Sequence, residues 1–115
     1  MRDTTERLRD ILDAIDRVMQ YAAKGRGDFE TDELIQVWIV HHLQIVGEAA
    51  AKLGRGFHEA YPLVPWPQIV AMRNVLVHDY FGIDLDEVWN VVERELPGLR
   101  ATLQGLIDAL EQDEP

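Results

Sequence analysis

Arg73 and His78 are the two residues of this sequence whose types and spacing best suit chemistry. Histidine has the only unperturbed side-chain pKa near neutrality, so it can accept and return a proton within one cycle. Arginine carries a permanent charge on a planar fork that matches a phosphate. Together they suffice for metal-free cleavage of RNA. The histidine would deprotonate a 2′-hydroxyl, that oxygen would attack the adjacent phosphorus, and Arg73 would stabilise charge on the phosphate oxygens.

The same two residues also have structural explanations. A histidine near a helix C-terminus gains from the helix dipole, and an arginine on a helix often pairs with a carboxylate. On an ideal helix Arg73 and His78 point about 140° apart, whereas Asn74 and His78 share a face. Either Arg73 reaches around, or the helix loosens, or two subunits pool their residues across a two-fold interface with Asn74 beside His78.

Length and composition place these residues in one helical domain, residues 1–115. The 115 residues are 47% hydrophobic, which is enough for one modest core. No apolar run reaches the roughly 18 residues of a membrane span, and the N-terminus lacks the apolar stretch of a secretion signal, so we expect a soluble, cytoplasmic protein. The absence of cysteine excludes disulfides, a thiolate nucleophile and cysteine-ligated zinc.

The net charge of −10 argues against a broad basic face for long nucleic acid. The charge is uneven along the chain, because residues 83–115 hold nine acidic and two basic side chains while residues 1–27 hold five acidic and six basic ones. A neutral or positive cleft built from residues 1–27 and 62–82 therefore remains open to an RNA substrate.

The spacing of apolar residues predicts an all-α fold, an antiparallel bundle of four to five helices. The predicted helices cover residues 4–24, a second run to about residue 53, a third from Pro67 to Gly82, and a fourth from Asp84 that Pro97 breaks or kinks before a last stretch. Thr31 or Asp28 suits the cap of the second helix. Asp84 with Glu87 resembles a cap and its reciprocal partner. Residues 54–67 are predicted to be an ordered connection, because the prolines of the run from Tyr61 to Pro67 exclude a regular helix there.

Glu48 lies among small residues, after Gly47 and before three alanines, which allow another helix to approach closely. A carboxylate near a packed interior needs a partner, and Arg73 is the candidate. The two alternatives are that Glu48 orients Arg73 in a site or that it is an exposed edge carboxylate. Lys52 and Arg55 either neutralise a substrate phosphate or, more simply, are solvated charges at a helix end.

The histidines outside this motif do not suggest a metal centre. His41 and His42 are adjacent, so they point about 100° apart on a helix, and no histidine pair, His58 included, has the four-residue spacing of a helical zinc site. We predict no metal and no cofactor. Three tryptophans fall on predicted inward faces and favour core packing or a dimer contact over base stacking: Trp38, Trp66 and Trp89.

The spacing of Arg73, His78 and Tyr80 resembles the signature of HepT-type toxins in the HEPN superfamily, in which four residues separate the first two and one separates the last two. Three further landmarks resemble that family in the same order over nearly the whole chain. They are the stretch from Ile45 to Leu53, Val64-Pro65-Trp66 before Met72-Arg73-Asn74, and Asp84 to Trp89 followed by Leu96-Pro97. The flanking landmarks make the match far more specific than the Arg/His core alone.

This resemblance implies a HEPN-like bundle and a metal-independent endoribonuclease toxin of a HepT/MntA-type toxin–antitoxin system. It implies a homodimer with a composite active site, checked by a separately encoded minimal nucleotidyltransferase antitoxin that attaches AMP to the motif tyrosine, here Tyr80. Read without the family, Tyr80 is an aromatic packing residue. The alternative function is a non-catalytic helical partner of a nucleotidyltransferase, which suits the acidic composition. A purely structural dimerisation module would leave the polar cluster around Arg73 and His78 unexplained.

Overall fold

The fold is helical throughout the part of the chain that the computed structural model describes, residues 3–75 and 84–112. The helices are α1 Thr4–Ala22, α2 Arg26–Thr31, α3 Glu33–Lys52, α4 Arg55–Ala60, α5 Trp66–Val75, α6 Leu85–Asn90 and α7 Leu96–Gln112, and a π-helical turn, Val91–Glu95, joins the last two. No strand occurs within these ranges. The predicted all-α bundle is confirmed. No described helix is both long and apolar enough to cross a membrane.

Helices α1 and α3 form an antiparallel hairpin that supplies much of the core. Their facing stripes contain Leu8, Ile15 and Ile39, which are fully buried, and burying one such side chain stabilises the fold by about 1.5–3 kcal/mol. The Trp38 Nε1 donates to the Arg17 carbonyl oxygen at 2.9 Å, which fixes the pairing of the two helices at one end. The hairpin therefore gives α5 a rigid surface on which to pack.

Helix α7 lies antiparallel to α1 on another side of the core. Two ion pairs join the exposed edges of these helices, one between Arg100 and Asp16 and one between Arg9 and Glu111. The Asp16 carboxylate accepts two hydrogen bonds from the guanidinium and raises the pKa of Arg100 above its ordinary value. Ion pairs at such exposed positions contribute little stability, so apolar burial remains the main term.

The predicted start of the second long helix is wrong. Neither Thr31 nor Asp28 caps it; the cap of α3 is Asp32, whose Oδ1 accepts the Leu34 N–H at 2.9 Å. Thr31 is unavailable because its hydroxyl donates to the Gly27 carbonyl oxygen at 2.9 Å, as the last residue of the short helix α2. The region predicted as the start of one helix therefore contains the short helix α2 followed by the start of α3.

The connection 54–67 contains one short helix that was not predicted. Helix α4 occupies its first half, after Gly54 reverses the chain with φ 87°, and only the part from Tyr61 onward is irregular. The prolines act locally, because each restricts itself and the preceding residue rather than the turn before that. Pro67 lies in the first turn of α5, as predicted. The predicted end of this helix by Gly82 lies outside the described residues.

The fourth predicted helix begins as expected but does not break. The Asp84 Oδ1 accepts the Glu87 N–H at 3.1 Å and caps α6. From there the chain is helical through Pro97 to the end of α7, because the turn before the proline opens to the π form, in which the Leu96 N–H donates to the Val91 carbonyl oxygen. Proline lacks an N–H and crowds the carbonyl four residues earlier, and the wider turn accommodates both effects.

Candidate functional site

Gly47 is the point where α3 and α5 come closest together. A Cβ atom built on Gly47 would lie 2.5 Å from the Arg73 backbone nitrogen, 2.9 Å from the Arg73 Cβ and 3.0 Å from the Val70 carbonyl oxygen. Since real Cβ atoms essentially never approach backbone atoms to 2.5 Å, only glycine fits at this position. The close contact fixes the backbone from which the Arg73 side chain projects.

The residue after this glycine supplies the partner of the Arg73 side chain. One carboxylate oxygen of Glu48, Oε2, lies 3.8 Å from the Arg73 Nη1. The Glu48 side chain is 55% exposed and that of Arg73 is 37% exposed, so the pair contributes at most about 1 kcal/mol to stability. The Glu48 carboxylate is therefore exposed at an edge and also faces Arg73, and its role in orienting Arg73 within a site stays a prediction.

The length of this ion pair leaves the arginine free to bind an anion. A separation of 3.8 Å exceeds the 2.7–3.2 Å of a typical N–H···O hydrogen bond. The carboxylate therefore attracts the guanidinium without using up its N–H donors, of which arginine has five. Chemically, the arrangement is an oriented, half-exposed cation that can take a phosphate in bidentate fashion.

The other predicted site residues follow Arg73 in the chain, and their side chains lie outside the described part of the structure. His78 and Tyr80 lie outside the described residues, and Asn74 belongs to α5 with its side chain outside them. The structure thus brings Arg73 and Glu48 together. The relation of Arg73 to His78 stays a prediction.

The other histidines have structural partners. The His42 side chain is buried, and its Nδ1 is 2.8 Å from the Trp38 carbonyl oxygen. The His58 Nε2 is 2.8 Å from the Ala50 carbonyl oxygen, and its ring stacks on Trp66 with centroids 4.8 Å apart. Residues 3–75 and 84–112 contain no group of three His, Cys, Asp or Glu side chains placed to hold a metal ion.

The tryptophans divide between the core and its edge. Trp66 and Trp89 are buried, and their indole N–H groups donate to the Tyr61 carbonyl oxygen at 3.0 Å and to the Glu93 carboxylate at 2.8 Å. Trp38 is half-buried and packs beside His42. Core packing is thus confirmed for two of the three.

A cleft of about 500 Å³ between α1 and α3 was not anticipated from the sequence. We call it the α1–α3 cleft; its charged and polar lining includes Arg7, Asp10 and Arg17 from α1 and His42, Glu48 and Lys52 from α3. On α1 the spacings of three and seven residues place these side chains on one face. On α3 Glu48 and Lys52 are four residues apart and share a face, whereas His42 and Glu48 are six apart and diverge by about 120°. This spacing was the sequence signal from which the cleft could have been found. It was not decisive, because the polar residues on both helices lie directly beside apolar residues that face the core. Glu48 belongs both to this cleft and to the ion pair with Arg73.

Comparison with known proteins links the sequence of this chain to one family. The family model described as "Ribonuclease HepT-like" matches residues 11–106. The chain is 30% identical over 106 residues to "Probable ribonuclease HepT" of Thermococcus cleftensis, which covers 91% of this chain and 96% of that protein. It is 32% identical over 104 residues to "Putative RNase MJ1380" of Methanocaldococcus jannaschii, which covers 90% of this chain and 95% of the relative.

A further relative is about twice as long as this chain. The chain is 31% identical over 114 residues to "Gamma-glutamylcyclotransferase and putative RNase MJ0434" of Methanocaldococcus jannaschii. The match covers 98% of this chain and 51% of that protein, so the chain spans about half its length. No solved structure matches the chain.

Proposed function

Because this chain belongs to the HepT-like ribonuclease family, we propose that it is a metal-independent endoribonuclease toxin in which Arg73 and His78 are the catalytic residues. The observation that carries the proposal is the half-exposed guanidinium of Arg73, fixed at the α3–α5 contact and oriented by a carboxylate 3.8 Å away. His78 removes the proton of a 2′-hydroxyl, whose oxygen attacks the adjacent phosphorus. The 5′-oxygen leaves and takes up a proton, while Arg73 stabilises the charge on the phosphate oxygens.

The proposed site is composite, built from two copies of the chain. Residues five apart on an ideal helix diverge by about 140°, so a single ideal helix carrying Arg73 and His78 would not aim both side chains at one phosphate. In a two-fold dimer the Arg73 of one protomer faces the His78 of the other, and each dimer holds two equivalent sites. Asn74 is then the natural neighbour of His78 on the same chain, and Glu48 is the residue that positions Arg73.

The proposed regulation acts on the same segment. A separately encoded minimal nucleotidyltransferase antitoxin transfers AMP from ATP to the Tyr80 hydroxyl and releases pyrophosphate. The added phosphate carries negative charge two residues from His78. It therefore repels the RNA phosphate electrostatically and crowds the histidine.

The activity itself is tested by cleavage of a labelled RNA by the purified protein, freed of partners, in excess EDTA. We expect cutting under these conditions, and we expect His78→Ala to lower the rate by at least about 100-fold, since general acid–base catalysis contributes about 10²–10⁴. The control is His41→Ala, which removes an exposed histidine of α3 and is expected to leave the rate unchanged.

Three results would contradict this proposal. Loss of cutting in EDTA that added metal restores would contradict metal independence, and undiminished cutting by His78→Ala would contradict the assigned base. Stable binding to a nucleotidyltransferase without RNA cleavage under any condition would favour the non-catalytic helical partner instead.

The regulation is tested by incubating the chain with its cognate nucleotidyltransferase and ATP. We expect intact-protein mass spectrometry to show added AMP units and RNA cutting to fall in parallel. Tyr80→Phe is expected to prevent both changes because it removes the accepting hydroxyl. Tyr21→Phe is the matched control, since the Tyr21 ring packs beside Trp38, and this variant should still be modified. Equal modification of Tyr80→Phe would show that another residue accepts the AMP.

A further inference from the structure

Ion pairing divides the basic side chains of the described ranges into two groups. Six arginines form ion pairs with carboxylates, among them Arg17 with Asp13 and Arg55 with Glu59. Four basic side chains form no ion pair with another described residue: Arg7, Lys24, Lys52 and Arg94. These four keep their full charge available for an external anion. Arg55, by contrast, is not a free phosphate ligand.

Two of these four unpaired cations line the same cleft. Arg7 and Lys52 both belong to the α1–α3 cleft, on different helices. Helices α1 and α3 run antiparallel, and the hydrogen bond from the Trp38 indole to the Arg17 carbonyl oxygen marks one end of the hairpin. Arg7 and Lys52 therefore lie together toward the other end. Three carboxylates also line the cleft, Asp10, Asp13 and Glu48, but none of them is without a partner. Arg7 and Lys52 therefore remain as the cations of the lining that can contact a phosphate.

The cleft and the proposed site of cleavage have one residue in common. Glu48 forms part of its wall and is also the residue that orients Arg73. An RNA strand whose scissile phosphate lies on Arg73 therefore meets the cation-bearing end of the cleft next. From His42 to Lys52 the α3 side of the cleft is roughly 15 Å long, at 1.5 Å rise per residue. This length suits a short single-stranded segment rather than a duplex.

The floor of the cleft also offers a hydrogen-bond acceptor. The Nδ1 of His42 lies 2.8 Å from the Trp38 carbonyl oxygen. Since a carbonyl oxygen only accepts, Nδ1 carries the proton of that bond. The other ring nitrogen, Nε2, has no hydrogen-bond partner among residues 3–75 and 84–112, and the His42 side chain is only 8% exposed. Every fully buried side-chain N or O atom of the described residues has a hydrogen-bond partner, so this unpartnered nitrogen is accessible. Because His42 lines the cleft, its Nε2 can accept a hydrogen bond from a polar ligand there.

From these observations we infer that the α1–α3 cleft is an RNA subsite that holds the strand beside the cleaved phosphate, with Arg7 and Lys52 contacting backbone phosphates. The inference rests on the proposed ribonuclease function and deepens it by adding two substrate-binding residues outside the Arg73/His78 motif. These residues bind and position the strand. They take no part in proton transfer, so their loss acts on affinity rather than on the chemical step.

The test measures binding of a fluorescent 2′-O-methyl oligoribonucleotide by anisotropy at several salt concentrations. The blocked hydroxyl prevents cleavage, so binding is read independently of catalysis. For single strands each phosphate contact contributes about −0.7 to the slope of log affinity against log salt. The double variant Arg7→Ala/Lys52→Ala is expected to bind more weakly and to lose about 1.4 of that slope.

The matched control is Lys24→Ala/Arg94→Ala, which removes the other two unpaired cations and changes the net charge by the same amount. It is expected to keep the wild-type slope, which separates a local contact from a general charge effect. Equal slopes for the two double variants, or an unchanged slope for Arg7→Ala/Lys52→Ala in a protein that still cleaves RNA, would overturn the subsite alone. Failure of the wild-type protein to bind or cut RNA would overturn the proposed function itself.

Discussion

An equal mixture of the Arg73→Ala and His78→Ala variants is expected to recover about a quarter of the wild-type RNA-cleaving activity, although each variant alone is inactive. In a composite site the heterodimer combines the intact Arg73 of one protomer with the intact His78 of the other. One of its two sites is then complete and the other lacks both residues. Random mixing makes half of the dimers heterodimers, so about a quarter of all sites are active.

The measurement is the initial rate of RNA cleavage after co-expression of the two variants with different affinity tags. Purification through both tags isolates the heterodimer, for which we expect about half of the wild-type rate per dimer. If each site used the Arg73 and His78 of one chain, the heterodimer would contain no complete site and would be inactive. Complementation therefore distinguishes the two arrangements without any structure of the segment that carries His78.

Gly47→Ala is expected to lower the free energy of unfolding by about 1–3 kcal/mol, the usual cost of overpacking an interior contact. The added Cβ would lie 2.5 Å from the Arg73 backbone nitrogen, which cannot yield as the end of a flexible side chain does. Either α5 moves away from α3 or the bundle loosens. Both outcomes displace Arg73 from the Glu48 carboxylate, so RNA cleavage is expected to fall with stability. Urea denaturation followed by circular dichroism measures the first effect.

Gly105→Ala provides the matched control with the opposite sign. Gly105 is exposed within α7, and a Cβ built there meets nothing within 4 Å. Because glycine in a helix interior costs about 0.5–1 kcal/mol relative to alanine, this variant is expected to be more stable than the wild type. A Gly47→Ala protein that unfolds at the wild-type urea concentration would show that the close contact between α3 and α5 is not needed for stability.

Helices were predictable where apolar residues recur at helical spacing over many residues. Helix boundaries were less predictable where several neighbouring residues could each serve as the cap. The periodic stripes of α1 and α3 predict the hairpin. The start of α3 was missed because Thr31, Asp28 and Asp32 are all suitable cap residues. The deciding contact is the hydroxyl of Thr31 on the Gly27 carbonyl oxygen, which is visible only once α2 has formed.

The helix contact beside Arg73 was predictable from the sequence, whereas the availability of cations near it was not. The small residues around Gly47 indicated a close helix contact, and the pairing of Glu48 with Arg73 was one of two stated alternatives. The availability of Arg7 and Lys52 in the α1–α3 cleft was not predictable, because it depends on which carboxylates other cations occupy. Ion pairing between distant parts of the chain is a property of the folded surface, and no local sequence pattern encodes it.

The π-helical turn at Val91–Glu95 sets the phase between the two halves of the last long helix. Val88 and Trp89 before the turn are buried, and so are Leu99 and Leu103 after it. The turn holds one residue more than an ordinary α-helix would, so removing one residue within it would restore the α form and leave Leu99 and Leu103 facing the core. Removing one residue between the turn and Leu99 would instead rotate everything that follows by about 100°, and Leu99 and Leu103 would leave the core. The C-terminal third of this chain should therefore tolerate a one-residue deletion within the turn far better than a deletion after it.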